Sequence, residues 1–292
     1  MIEIYFEQEN DAEKFSNLLN EKRNKGDRPL FQTEHRSGCI VKIYIHERSD
    51  EVISSHIVPA INDFILRFVE DRLLLSIISD TFYFKNEEEQ QQILQLAHSF
   101  LDGERHDYRS SKQPTISREA IIMNALLQFV RDGLSFSLTS FVTFRLKQYT
   151  ERLHYYVELA IDEYKLEQEY QNFVQMLRDY VAERKEKWST VHLVHRSPDF
   201  LFFDEQLCLV TKKELKQLID RNLSINQPMY IDSSVLAPLV SIAPRTIYLY
   251  TSNPDDGMIQ TIQNVFQERI CFCQLNDFAK YEAILSMNDA PT

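Results

Sequence analysis

Residues 141–187 read FVTFRLKQYTERLHYYVELAIDEYKLEQEYQNFVQMLRDYVAERKEK, and their periodicity decides the fold class. Val142, Leu146, Tyr149, Leu153, Tyr156 and Ala160 step alternately by four and three residues, the seam of a heptad helix. Leu166, Tyr170, Phe173, Leu177 and Tyr180 resume the pattern displaced by three residues, which predicts local overwinding or a bend between two helices. Acidic and basic residues interleave on the other faces, as a solvated helix surface requires.

Upstream the pattern stays helical back to about residue 50. Val52, Ile53, His56, Ile57, Ala60, Ile61, Phe64, Ile65 and Phe68 make a wide apolar stripe, and Pro59 inside it predicts a kink or a boundary. Asn86 followed by Glu89 resembles a capping box that opens a helix ending near residue 101. A polar loop covers 102–114, and a further helix covers 116–131, with Gly133 breaking or bending it.

The two ends change character. Residues 2–6 alternate as a strand, Asn10 and Glu13 suggest a cap, Phe15, Leu18 and Leu19 give a helical stripe, and 39–45 is β-rich. Past Trp188, strands at 191–195 and 200–203 flank a hairpin turn, and Thr211 with Glu214 forms another capping box. Strand 246–250, turn 253–257, helix 258–268 and strand 270–274 make a βαβ unit. The expected fold is α+β and predominantly helical. A long helical region, 49–188, is flanked by a small N-terminal β-α-β layer, 1–48, and a C-terminal α/β layer, 189–292. The end layers are expected to join in one sheet, because the N-terminal strands need a cover and a partner edge.

Composition narrows the function classes. The chain has 292 residues and a net charge of −12, so its surface repels nucleic-acid backbones and anionic lipid; no nucleic acid is expected as partner. Its five glycines stand alone, with neither GxGxxG nor GxxxxGK, which removes the two commonest phosphate-cradling loops, and no cofactor is expected. No stretch reads as ~20 uninterrupted apolar residues. The most apolar, 120–144, carries Arg131 and Asp132 at its middle, so membrane insertion is not expected. The N-terminal residues lack the pattern of a secretory signal, and Cys39, Cys208, Cys271 and Cys273 are too few for a disulfide framework. Reduced thiols in the cytoplasm fit better.

Few residues carry chemistry by their spacing. His106-Asp107 matches the doublet of helical metal-dependent phosphohydrolases but falls in a loop by composition. Cys271 and Cys273 share a strand face and read as small buried hydrophobes; His192 and His195 fall on opposite faces and make poor co-ligands. Asp255 and Asp256 follow a strand at the edge where α/β sheets bind ligands, and adjacent acids there hold magnesium in some sites. The same Ser-Asn-Pro-Asp-Asp-Gly run also spells a plain turn and helix start. No GxSxG or HExxH is present, and no catalytic residue is assigned. The long helix carries more aromatics than a seam needs, Phe144 among them; most are read as internal core and the remainder as a surface for docking a partner helix.

At this helix the chain resembles the YtxC family, which is linked to sporulation. The resemblance rests on Ser140-Phe-Val-Thr-Phe-Arg-Leu-Lys-Gln-Tyr149, on Glu167-Gln-Glu-Tyr-Gln-Asn-Phe173, on Leu177 to Val181, and on Val191-His-Leu-Val194. It implies cytoplasmic expression in endospore-forming bacteria and carries over no catalytic residue, cofactor or partner. The expectation is a non-enzymatic adaptor or regulatory protein that binds another protein, or a second copy of itself, through its helical region. Arg145, Tyr149, Tyr156, Tyr170 and Phe173 are the interaction candidates. The alternative is a metal-dependent phosphohydrolase or nuclease using Asp255 and Asp256 at the C-terminal α/β edge.

Overall fold

The computed structural model describes residues 1–22, 30–35, 38–46, 48–105, 116–220, 223 and 231–278. Two units divide the chain, Met1–Leu166 and Glu167–Thr292. The fold is α+β, mostly helical, with one small mixed sheet in each unit.

In the first unit, β1 (Ile2–Tyr5) buries Ile2 and Ile4 and pairs antiparallel with β3 (Ile40–Ile45), whose Val41 and Ile43 face the same way. β2 (Phe31–Glu34) pairs antiparallel with β3 on the far side. The other edge of β1 is taken, in parallel, by β4 (Ser135–Ser137), giving the order β2-β3-β1-β4. The end layers therefore do not share a sheet. β1 finds its partner in a three-residue strand inside the helical region, where a single inward apolar residue, Phe136, leaves almost no sequence signal.

Helix α1 (Glu9–Glu21) lays Ala12, Phe15, Leu18 and Leu19 into this core. It starts behind Gln8, which offers no side-chain cap, so Asn10 and Glu13 lie within the helix rather than capping it. The axis of the unit is α2 (Ser49–Thr81), a continuous helix of 33 residues. Phe64 of α2 meets the rings of Phe6 and Phe15 at 5.4 and 5.5 Å between centroids. Three π-helical turns interrupt α2, at Ile53–Ile57, Ile65–Val69 and Ile77–Thr81, so they begin twelve residues apart. Over twelve residues a straight α-helix drifts by about 120° from any starting face. Each π turn inserts one residue and returns the stripe to within about 20°. Ile53, Ile65 and Ile77 are all buried as a result. Pro59 follows the first wide turn without ending the helix; the displaced carbonyl ladder there relieves the clash its ring causes in a regular helix. By length and composition α2, not 120–144, is the stretch apolar enough to cross a membrane, at mean hydropathy 1.3. Half of that window is buried within the fold.

Helix α3 (Glu87–Leu101) opens where Asn86 accepts the Glu88 and Glu89 N–H groups, with three glutamates in the first turn to match the helix dipole. α4 (Arg118–Phe129) packs on the middle of α2 and stops before Val130, which is extended. Gly133, at φ +79°, turns the chain into β4. α5 (Leu138–Arg145) is capped by the Ser137 hydroxyl, and a break at Leu146 separates it from α6 (Lys147–Ala182).

The heptad seam from Val142 to Ala160 is buried throughout. The expected three-residue slip is absent, because α6 runs unbroken and its original register returns as Val174, Leu177 and Val181, all buried. Positions 163 and 167 of that register are glutamates, residues 165–169 are all exposed, and Leu166 is 57% exposed. The unit boundary falls there, inside the region expected to be one helical core.

The second unit carries a five-stranded sheet. β5 (Thr190–Arg196) forms the expected hairpin with β6 (Asp199–Phe203), and β7 (Leu209–Val210) extends it antiparallel. On the other side β8 (Thr246–Thr251) and β9 (Ile270–Gln274) add in parallel, completing β7-β6-β5-β8-β9. Val191, Leu193, Ile247 and Leu249 face a core shared with Phe173, Val174, Leu177 and Val181 of α6. α7 (Lys212–Leu218) begins at the full capping box of Thr211 and Glu214. α8 (Leu236–Ile242) is buried along its whole length, and α9 (Gly257–Phe266) is the crossover of the expected βαβ unit.

Replacing Phe64, which is fully buried, by alanine should lower stability by ~3–5 kcal/mol in urea unfolding, whereas Leu166→Ala should change it by less than ~0.5 kcal/mol. Comparable losses at both positions would contradict the boundary.

Candidate functional site

The structure separates the interaction candidates sharply. Tyr149 and Tyr156 are buried in the first unit, Tyr156 against Tyr155 and under the Arg152 guanidinium, 5.7 Å from its ring. Phe173 is buried in the second unit. Tyr170 is half-buried, and its hydroxyl accepts from Asn264 Nδ2 at 2.8 Å. These side chains are committed to internal packing or hydrogen bonding, because apolar residues on a heptad seam serve the helix's own core first. Arg145 alone of the five is exposed, with its guanidinium over the half-buried Phe129 ring at 5.4 Å. Beside it Phe144 is 77% exposed.

Tyr149 belongs to a buried polar network that periodicity did not reveal. Its hydroxyl donates to Glu70 Oε2 at 2.7 Å, and Glu70 on α2 is only 2% exposed. Arg118, at the start of α4, places Nε 3.6 Å from the same carboxylate and 3.2 Å from Glu119, and donates through Nη2 to Asp102 at 2.8 Å. Nearby, His98 Nε2 meets Asp71 Oδ1 at 2.8 Å. Burial raises the Glu70 carboxyl above the ordinary carboxylate value, against the opposing pull of the Tyr149 hydrogen bond and the Arg118 charge. Burial likewise raises the Tyr149 hydroxyl, and the Glu70 charge adds to the shift. Glu70 stands twelve residues after Val58, so the repeat of wide turns brings it back to a buried face.

The second unit holds a cavity of about 320 Å³. It lies outside the carboxyl ends of β5 and β8, whose continuations leave in opposite directions: β5 turns to β6, while β8 crosses through α9 to β9. The Ser197–Asp199 turn, Lys212 and Lys216 on α7, Ser233 and Ser234 ahead of α8, and Asp256 at the start of α9 line it. Phe200, Leu215 and Val235 supply apolar wall. His195, buried behind the turn, stacks on Phe200 at 4.6 Å and bonds Thr251 Oγ1 at 2.9 Å.

Of the two acids expected at this edge, Asp255 is exposed and does not line the cavity. Asp256 lines it, but its Oδ1 accepts the Met258 N–H at 2.9 Å as the cap of α9. The turn-and-cap reading accounts for that contact. Among the described residues, no group of three or more His, Cys, Asp and Glu side chains is placed to hold a metal ion. His106-Asp107 lies outside the described residues. The cysteines do not behave as buried hydrophobes: Cys208 and Cys271 are exposed, and Cys39 and Cys273 are partly so. β9 is an edge strand, which leaves its outer positions open. His192 and His195 do occupy opposite faces; His192 stacks on Tyr248 at 5.0 Å, and burial lowers its tendency to protonate.

Residues 55–271, a stretch with parts in both units, match the YtxC-like family, and the chain belongs to it. It is 42% identical over 283 residues, 97% of each chain, to a Bacillus subtilis (strain 168) protein described as "Uncharacterized protein YtxC". No solved structure matches the chain.

The buried carboxyl sets a pH dependence. Because its folded-state value lies above that of the unfolded chain (~4.3), the native protein binds this proton more tightly. The stability it confers is complete below the unfolded value and is lost as pH rises through the higher folded value. The unfolding free energy of the wild type minus that of Glu70→Gln should therefore fall with rising pH across that window. A difference independent of pH in urea titrations would mean that Glu70 is as well solvated folded as unfolded.

Proposed function

We propose that the chain is a non-enzymatic adaptor or regulatory protein of endospore-forming cells, cytoplasmic as the family resemblance implies, which binds another protein through its helical first unit. The observation that carries this reading is Phe144, 77% exposed at the end of α5 inside the stretch that carries the resemblance. A lone exposed apolar side chain is ordinary on a protein surface. This one is followed by Arg145, whose guanidinium is held over the Phe129 ring. An aromatic anchor with a cation fixed beside it suits an apolar pocket rimmed by acid, and aromatic and arginine side chains dominate interface energetics. The partner is accordingly a protein offering such a pocket. Tyr149 and Tyr156, by contrast, are buried and do not meet a partner directly.

A photo-crosslinking residue placed at 144 should give one discrete adduct in sporulating cells, and Arg145→Glu in the same chain should weaken it severalfold. The same probe at Glu169, also exposed, should not give that adduct. An adduct of twice the chain's mass would identify the partner as a second copy. Absence of any adduct specific to 144 would remove the basis of the reading.

A further inference from the structure

The cavity of the second unit contains a charge arrangement that the adaptor reading leaves unused. Lys212 and Lys216 are one helical turn apart on α7, both exposed at its wall. Like charges at this spacing repel, at a cost of a few tenths of a kcal/mol in an isolated helix. Neither lysine has an ion-pair partner among the described residues, in a chain whose net charge is −12. Three acids share the lining: Asp232 and Asp256 are engaged with backbone N–H groups, and Asp199 is exposed at the start of β6. Asp232 Oδ1 accepts the N–H groups of Ser234 and Val235 at 3.0 and 2.7 Å and the Ser234 hydroxyl at 2.8 Å. Asp256 is held by the Met258 N–H.

We infer that this cavity binds a small phosphate monoester, its phosphate between Lys212 and Lys216 and its organic body against Phe200, Leu215 and Val235. A phosphate monoester carries about −1.5 to −2 charges at neutral pH, and Lys212 and Lys216 are the cations of the lining that can pair with it. The Ser197 and Ser233 hydroxyls at the rim can donate to its remaining oxygens. The volume, about 320 Å³, is at the lower end of ligand pockets and suits a sugar phosphate or mononucleotide rather than a polymer. The place is the crevice where open sheets with parallel strands receive ligands, outside strand ends whose connections diverge. Binding here requires no glycine-rich loop, so the lack of one in the sequence does not exclude it.

Calorimetric titration of the full chain with AMP, ribose 5-phosphate, adenosine and inorganic phosphate tests the assignment. At least one of the two monoesters should bind saturably and more tightly than inorganic phosphate, and adenosine should bind at least about tenfold more weakly than AMP if AMP is the one that binds. The Lys212→Ala/Lys216→Ala double variant should lose at least about tenfold in affinity, equivalent to 1.4 kcal/mol. Both lysines are exposed, so the variant's unfolding midpoint without ligand should match the wild type, which separates lost binding from lost folding. A Lys165→Ala/Lys185→Ala control should bind as the wild type does. The inference is overturned if neither monoester binds saturably, if inorganic phosphate binds as tightly as they do, if adenosine equals AMP, or if the double variant keeps full affinity.

Discussion

A long helix can keep one face against its neighbours only if the drift of its apolar stripe is corrected, and in the first unit that correction is made by three wide turns. They hold Ile53, Ile65 and Ile77 inward along α2 while α1, α3 and α4 pack around it. Without them the stripe would wind out of the core within about one interval, since twelve residues of regular helix rotate it by about a third of a turn. Phe64, which closes the cluster with Phe6 and Phe15, depends on the same phase. So does the burial of Glu70, which carries a charge into a position where the repeat supplies valine one interval earlier.

That carboxylate is an internal cost that its surroundings offset. Tyr149 donates to it, Arg118 lies within reach, and Asp102 and Glu119 hold the guanidinium in place. Removing any one of them leaves the others partly unsatisfied, and buried ionic groups are expensive when incomplete. The network joins α2, α4 and α6, together with Asp102 at the end of α3, at one point. Tyr149 therefore acts as a fixed internal strut. The exposed pair Phe144 and Arg145 lies just upstream, on α5, separated from it only by the break at Leu146.

Periodicity made much of this fold legible. The heptad seam, the hairpin around Ser197-Pro198, the Thr211–Glu214 box and the βαβ unit all appear where spacing and turn chemistry place them, because each is determined by neighbours close in sequence. β4 was illegible for the opposite reason: three residues become a strand only through an edge that β1 offers from far away in the chain. The phase of α6 beyond Leu166 is misleading in the sequence because Leu166, Phe173 and Tyr180 mimic a displaced seam, while Val174 and Val181 carry the true one. At the candidate sites, Asp256 is visible as a turn residue, but nothing in the spacing of Lys212 and Lys216 sets them apart from a solvated helix face. Only the tertiary fold brings them to a cavity at the strand ends.

The pairing of β1 with β4 also governs the order in which the protein can be made. Ile4 lies opposite Phe136, so the second edge of the first strand is satisfied only after more than a hundred further residues have left the ribosome. Until then the amino-terminal hairpin layer presents an open, apolar ladder of backbone groups, the kind of surface that templates misassembly. Closing it ends that exposure late, and makes the fragment that stops short of Ser137 a different substance from the one that includes it.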